Sequence, residues 1–330
     1  RIARLEGVHT VQTRIVRYAT LDIAGFAEPG MGQIVSVPEI GQPLLNQLVL
    51  RAGRVIEPNR IDEVILSEPF AEAHDLHPGD ELVAILDGHR RRLSVVGIAL
   101  SPEFVYSLAP GALMADDLRF GVLWMSHKAM EAACDLEGSF NNVSLRLARG
   151  ADPKAVIPRL DQLLERYGGV GAIARADQLS NWFVMNEIKQ NETVSKILPA
   201  IFLVVSAFLT NMVLARLIAT ERSQIGLMKA FGYSNLQVGW HYAKLVIIIA
   251  AIGILLGLVA GYWAGRLNTQ MYTDLFRFPL LIYRPSQSAF MIAAGATFAA
   301  ALLGAIGSVA RAAQLPPAQA MIPPTPPVYK

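Results

Sequence analysis

The sequence predicts an α-helical membrane protein with three transmembrane helices, preceded by an N-terminal α+β domain. Three observations carry this reading. Residues 197–310 hold three apolar runs, each reaching the roughly 20 residues that a helix needs to cross a bilayer. Residues 1–196 are mixed in composition and carry short strand and helix signals. The whole chain is 53% apolar and 17% charged, whereas about a quarter of an ordinary soluble domain is charged. Its 330 residues permit two domains.

The formal charge of +2 comes with no basic stripe of the kind that nucleic-acid binders display, so no nucleic-acid partner is expected. The single cysteine, Cys134, excludes an internal disulfide and leaves the redox compartment unread. The chain opens on RIARLEGVHT, with neither an initiator methionine nor a signal peptide, and reads as processed or excerpted.

In the first domain, residues 1–176, the clearest segment is 61–100. SEPFAEAHDLHPGD predicts a short helix with Ser67 as N-cap and Pro69 in its first turn. HPGD turns the chain, ELVAIL alternates as a strand, DGH makes a tight hairpin and RRLSVVGIAL returns. FGVLWMS and NNVSLRLA predict strands, HKAMEAACDL a helix, and DPKAVIPRLDQLLERYG a helix capped by Asp152 with Pro153 at its first position. Chemistry is not evident here. His74 and His77 lie on one helical face, but no third and fourth metal ligand stand out, so no metal is expected. His89–Arg92 read as a solvated turn, and no nucleophile elbow, His-Glu-x-x-His or P-loop occurs. No enzyme activity of its own is expected.

Residues 177–196, DQLSNWFVMNEIKQNETVSK, predict a stalk helix, with Glu192 and Lys196 paired at i,i+4. Pro199 is a candidate kink where the helix meets the bilayer, and Trp182 and Phe183 are expected to pack on the domain. The spans are read at about 197–218, 243–265 and 288–310. Thr210 and Asn211, polar within the first, should find partners on a neighbouring helix. The second carries Gly253, Gly257, Gly261 and Gly265 on one face, a groove for close helix packing, and Gly304 and Gly307 suggest another on the third. No span holds a mid-membrane charge or histidine, which disfavours an ion or proton pathway. An odd number of spans puts the large domain and the tail, residues 311–330 and rich in proline, on opposite sides. Four basic residues in 216–244 against three in 266–284 vote for a cytoplasmic 216–244.

The loop 219–241 then holds the most informative stretch, TERSQIGLMKAFGYSN. Thr220 is a candidate cap, Glu221 suits the positive start of a helix and Lys229 its end. Ile225, Met228 and Leu227 form an apolar side, and Gly232 stops the helix. Ser234 and Gln237 form a capping box for the next helix, which passes Trp240 and Tyr242 at the interface. A short amphipathic helix thus lies crosswise, held at both ends by spans. Either a partner pushes it or it rests on lipid; the residues alone do not separate the two.

ERSQIGLMKAFGYSNLQV resembles the loop after the second transmembrane helix in the FtsX-like permeases of the MacB and LolC/LolE class. The matching positions are Arg222, Ile225, Gly226, Leu227, Met228, Lys229, Ala230 and Gly232; Gln224 departs, standing where the family more often has Glu. The likeness extends over residues 197–322, to the closing RAAQLPPAQAM, and EVILSEPFAEAHDLHPGDELVAIL resembles the family's extracytoplasmic domain of MacB-periplasmic-core type. The resemblance implies a four-helix permease whose first helix is missing ahead of Arg1. It implies a coupling loop at Glu221, Arg222, Gln224–Ala230 and Gly232, on which an ABC ATPase subunit docks. ATP-Mg would be held by that partner and no cofactor by this chain. A second permease half or a homodimer, and a periplasmic adaptor or cargo protein, complete the implied assembly. The implied location is the bacterial plasma membrane, with the N-terminal domain extracytoplasmic. The tail would be a linker, and the function export, lipoprotein release or mechanotransmission. The competing reading is a membrane-anchored extracytoplasmic binding or signalling protein without nucleotide coupling.

Overall fold

The computed structural model describes residues 1–23, 28–314 and 316. Two compact units emerge, Arg1–Ile188 with Met271–Leu281, and Lys189–Gln270 with the chain from Ile282 onward. Of the tail read as a linker, residues 315 and 317–330 lie outside the described residues.

The first unit contains β1 (Val8–Arg14), β2 (Val16–Asp22), β3 (Gly30–Val37), β4 (Val49–Gly53), β5 (Glu63–Ser67), α1 (Glu68–Ala73), β6 (Glu81–Leu86), β7 (His89–Leu100), β8 (Phe120–Ser126), α2 (His127–Cys134), β9 (Asn142–Leu147) and α3 (Pro153–Leu164). β1 and β9 pair as a separate antiparallel ribbon, and the other strands lie in the order β4-β7-β5-β8-β3-β2-β6. β6 also pairs with β7, so β7-β5-β8-β3-β2-β6 close into a ring and β4 adds an outer strand. The length of β7 makes this possible: His89–Ser94 pair with β6, and Ser94–Leu100 with β5 and β4. Closure leaves few unpaired edges. β3–β8 and β5–β7 are parallel, the rest antiparallel.

One core cluster joins Leu21, Ile34, Leu66, Leu93 and Leu123 to Phe70 of α1 and Met130 of α2. On the opposite face of the same strands, Val35, Ile65, Val122 and Trp124 pack beneath Leu48, Ile56 and Phe104 of the connecting loops. β5 and β8 are therefore buried at every position, and they read as continuous apolar runs rather than alternating ones.

The hairpin at 87–88 forms as expected, with Asp87 and Gly88 both at positive φ, 46° and 82°. Asp152 caps α3, its Oδ1 accepting the Lys154 N–H at 2.9 Å. Ser67 differs from expectation: it occupies the N-cap of α1 but makes no capping bond. It still belongs to β5, and its Oγ accepts the Val122 N–H of the neighbouring strand at 3.1 Å. His74 Nε2 donates to the Leu118 carbonyl at 2.9 Å and His77 Nδ1 to the Asp75 carbonyl at 3.1 Å. Among the described residues no group of three His, Cys, Asp or Glu side chains is placed to hold a metal ion. Phe183 packs on Tyr106 with ring centroids 4.8 Å apart, while Trp182 leans on Phe183 and stays half exposed. Segment 271–281 joins this unit through buried Phe276 against Tyr106, and through Arg277, which donates to Glu72 at 2.7 Å.

The second unit is helical. α4 (Leu179–Thr220), α6 (Asn235–Phe276) and α7 (Gln287–Gln314) are each long and apolar enough to cross a membrane, and α5 (Arg222–Ala230) lies between the first two. The predicted stalk and first span are one helix, unbroken at Pro199. Asn211 finds its partner on α7, as expected for a polar residue in lipid: Ser308 Oγ donates to its Oδ1 at 2.6 Å. Nearby, a methyl group on Gly304 would overlap the Ala207 carbonyl, so α4 and α7 approach at a contact that only glycine allows. The glycine face of α6 is different. A Cβ at Gly253, Gly257 or Gly261 meets nothing within 4 Å, and one at Gly265 would meet Tyr283. Among the described residues no backbone packs along that face.

Candidate functional site

The site is built around α5. α4 ends at Thr220, whose hydroxyl donates back to the Arg216 carbonyl at 3.0 Å. Thr220 therefore closes α4 instead of capping α5, and Glu221 takes the N-cap position without a side-chain capping bond. The Glu221 carboxylate accepts instead from the Tyr242 hydroxyl at 2.9 Å. Tyr242 is consequently buried against the loop, where the sequence suggests an interfacial residue.

The end of α5 is a tight stop. The Tyr233 N–H reaches the Met228 carbonyl at 3.2 Å and the Gly232 N–H the Lys229 carbonyl at 3.0 Å, with Gly232 at φ +91°. This pair of bonds is the Schellman arrangement, and it requires a residue content with left-handed backbone. α6 then opens with the expected box: the Ser234 N–H donates to Gln237 Oε1 at 2.8 Å and the Gln237 N–H to Ser234 Oγ at 3.3 Å.

One side of α5 is anchored. Ile225 is fully buried, in a cluster with Leu214 and Ile218 of α4, Val238, Tyr242 and Val246 of α6, and Ala305 and Ala312 of α7; Met228 packs on its margin. Lys229 Nζ donates to the Ala313 carbonyl of α7 at 2.7 Å. Gly226 is buried as well. The other side is open. Gln224 and Ala230 are exposed, Leu227 is 51% exposed and Phe231 77%. Leu227 thus does not share the inner side with Ile225 and Met228, and the reason is angular: two residues on from Ile225, it turns roughly 200° about the helix axis. Phe231, Tyr233 and Leu236, which the motif does not include, extend the exposed apolar surface past Gly232. Their signal in the sequence is three large apolar residues in an otherwise polar turn. Beside them, a cleft of about 240 Å³ is lined by Met228, Tyr233, Gln237, Trp240, His241 and Lys244.

Three membrane-crossing helices, a short helix pinned across the ends of all three, and a separate α+β domain ahead of them define an integral membrane protein with a displayed loop helix. Residues 196–317 match the family described as FtsX-like permease C-terminal, so this segment, which holds most of α4 and all of α5, α6 and α7, is an FtsX-like permease C-terminal region. Among solved structures, the chain is similar to the extracellular domain of the noncanonic ABC-type transporter YknZ from Gram-positive bacteria. The identity is 15%, over 52% of this chain and 82% of that one, with a TM-score of 0.33. It is also similar to the periplasmic region of MacB from Actinobacillus actinomycetemcomitans. There the identity is 13%, over 49% and 70% of the two chains, with a TM-score of 0.31. The comparison with curated proteins gave no match.

Proposed function

We propose that the chain is the permease subunit of an ABC transporter and that α5 is the element on which a partner ATPase docks. On this reading ATP and Mg²⁺ belong to the partner, and this chain binds no cofactor and catalyses no reaction itself. The observation that carries the reading is the two-sidedness of α5. Its inner residues, Ile225, Met228 and Lys229, are fixed to α4, α6 and α7, while Leu227 and Phe231 stand exposed. An apolar surface displayed on a firmly held helix suits the helix-in-groove mode of recognition. A push on α5 is passed to three membrane helices at once, because packed contacts are displaced together. α4 continues unbroken from that end to Leu179, a route by which the push reaches the N-terminal domain.

The reading places α5 in the cytosol and the N-terminal domain outside a bacterial plasma membrane, as in MacB-type permeases. A second permease half or a second copy completes the transporter, and an adaptor or cargo protein meets the outer domain. The output is export, lipoprotein release or transmission of force.

The test is co-purification of the full-length protein from native membranes, with Leu227→Asp and Phe231→Asp combined. The expected result is an ATPase bound to the unaltered protein and lost from the variant, with thermal unfolding unchanged. Met228→Asp is a poorer probe, since it inserts a charge beside the anchoring cluster and should lower stability. An ATPase retained by the double variant overturns the assignment of α5. No ATPase with either protein would favour the membrane-anchored binding or signalling protein.

A further inference from the structure

We propose that the cleft where α4, α5 and α7 meet binds the phosphodiester head of an anionic phospholipid. The cleft holds about 430 Å³, within the roughly 300–1,000 Å³ typical of small-molecule sites. Its walls differ in kind. Ala215 and Ile218 of α4 give an apolar side, and Arg222, Ser308, Arg311 and Gln314 a polar one. No carboxylate lines it among the described residues.

The arginines carry the chemistry. Arg311 is aimed by neutral acceptors among the described residues: its terminal nitrogen donates to Ser308 Oγ at 2.9 Å and lies 3.4 Å from Asn211 Oδ1. Ser308 is fully buried and itself bonded to Asn211, so the guanidinium is held in place. Among the described residues Arg311 makes no ion pair, and its charge is not neutralised by an internal carboxylate. Arg222, the first residue of α5, adds a second guanidinium to the same cleft. Two planar forks in one recess match the oxygens of a phosphate.

The surroundings select a lipid over free phosphate. The apolar wall continues into lipid-facing surface, with Val213 of α4 66% exposed and Ile306 of α7 59% exposed. The polar wall sits at the ends of those two helices, the depth at which headgroups lie. An acyl chain along α4 and α7 with its phosphate between the arginines meets both requirements. Because Arg222 begins α5, the bound lipid also touches the element that the proposed function makes the coupling helix; the binding itself does not depend on that function.

The test is native mass spectrometry of the full-length protein titrated with phosphatidylglycerol or with phosphatidylcholine of the same acyl chains. The expected result is retention of phosphatidylglycerol in preference to phosphatidylcholine. Arg222→Gln with Arg311→Gln should weaken it by about thirtyfold, taking each arginine near an anionic headgroup at its typical worth. Arg311→Lys should restore part of the binding, and Arg266→Gln at the other end of the spans should change nothing. Equal retention of the two lipids by the unaltered protein overturns the proposal, and that comparison does not depend on any variant folding. Undiminished binding by the double variant overturns it too. So does displacement of the lipid by millimolar inorganic phosphate, which would mark a free-anion site.

Discussion

The barrel unit and the helical unit treat apolar residues in opposite ways. In the barrel, Phe70, Leu66, Leu123 and Met130 are wholly buried within the unit. In the helical unit, only 6%, 11% and 6% of the most apolar stretches of α4, α6 and α7 is buried. Water drives the first arrangement, since apolar surface leaves it at a gain of roughly 25 cal/mol per Å². Lipid removes that drive between helices, so packing there relies on small residues and hydrogen bonds. Among the described residues the helical unit accordingly has one compact core, around Ile225, at the end where its loop helix lies. Chemistry that needs a fixed geometry is available there and not along the exposed lengths of the spans.

The largest effect that would sharpen this contrast is in the barrel. Phe70→Ala removes a fully buried ring packed against Gly121 and should cost about 3–5 kcal/mol, read as a lower unfolding midpoint of the detergent-solubilised protein. An effect below about 1 kcal/mol would show that the core collapses to fill the space. Next is Gly304→Val, which would drive a side chain into the α4 backbone and should cost about 1–3 kcal/mol. A Cβ at Gly257 meets nothing within 4 Å among the described residues, so Gly257→Ala should leave the stability of the chain nearly unchanged. If the same substitution splits a dimer in cross-linking, the glycine face of α6 is a surface for a second permease half or a second copy.

A smaller effect depends on pH. Glu63 is 1% exposed, and Arg54 donates to both its oxygens, at 2.6 and 2.9 Å. That bond, with the Glu57 N–H and against the pull of burial, holds its carboxyl below the usual range. The folded pKa is lowered, so its contribution is fully present above the unfolded value, about 4.3. It is lost as the pH falls through the folded value. Thermal midpoints measured between pH 7 and 3 should show this loss in the unaltered protein and a shallower fall in Glu63→Gln. Smallest of all, Ser234→Ala removes one half of the capping box and should cost about 1 kcal/mol, measured as faster hydrogen exchange in the first turn of α6. An introduced cysteine would locate the two sides of the membrane. Cys134 is buried, so on the proposed orientation Ala112→Cys should react with an impermeant thiol reagent in intact cells and Ser223→Cys only after the membrane is opened; the reverse pattern would overturn that orientation.

Legibility followed the same division. The strands from β6 onward were readable because Asp87-Gly88 and the proline and glycine turns punctuate them. β1 and β2 were not: only Ile15 separates them, with no glycine or proline at the break. β5, buried on both faces, lacks the alternation that marks a strand. At the site, Gly232 and the Ser234–Gln237 box were legible because they are local backbone chemistry. The outward direction of Leu227, the bond from Tyr242 to Glu221 and the anchoring of Lys229 on Ala313 were not, since each depends on residues brought together from distant helices.

The sequence by itself determined three membrane-crossing helices, the short helix between the first two and the places where that helix stops and the next begins. These follow from apolar length and from hydrogen bonds within a few residues. Only the tertiary structure decided that β7 closes the sheet into a ring, that Gly304 and not the glycine row of α6 sets a close helix contact within the chain, and which side of α5 faces out. Each is a matter of which distant surfaces meet, and the energy of that choice lies in packing between elements, where no local pattern records it.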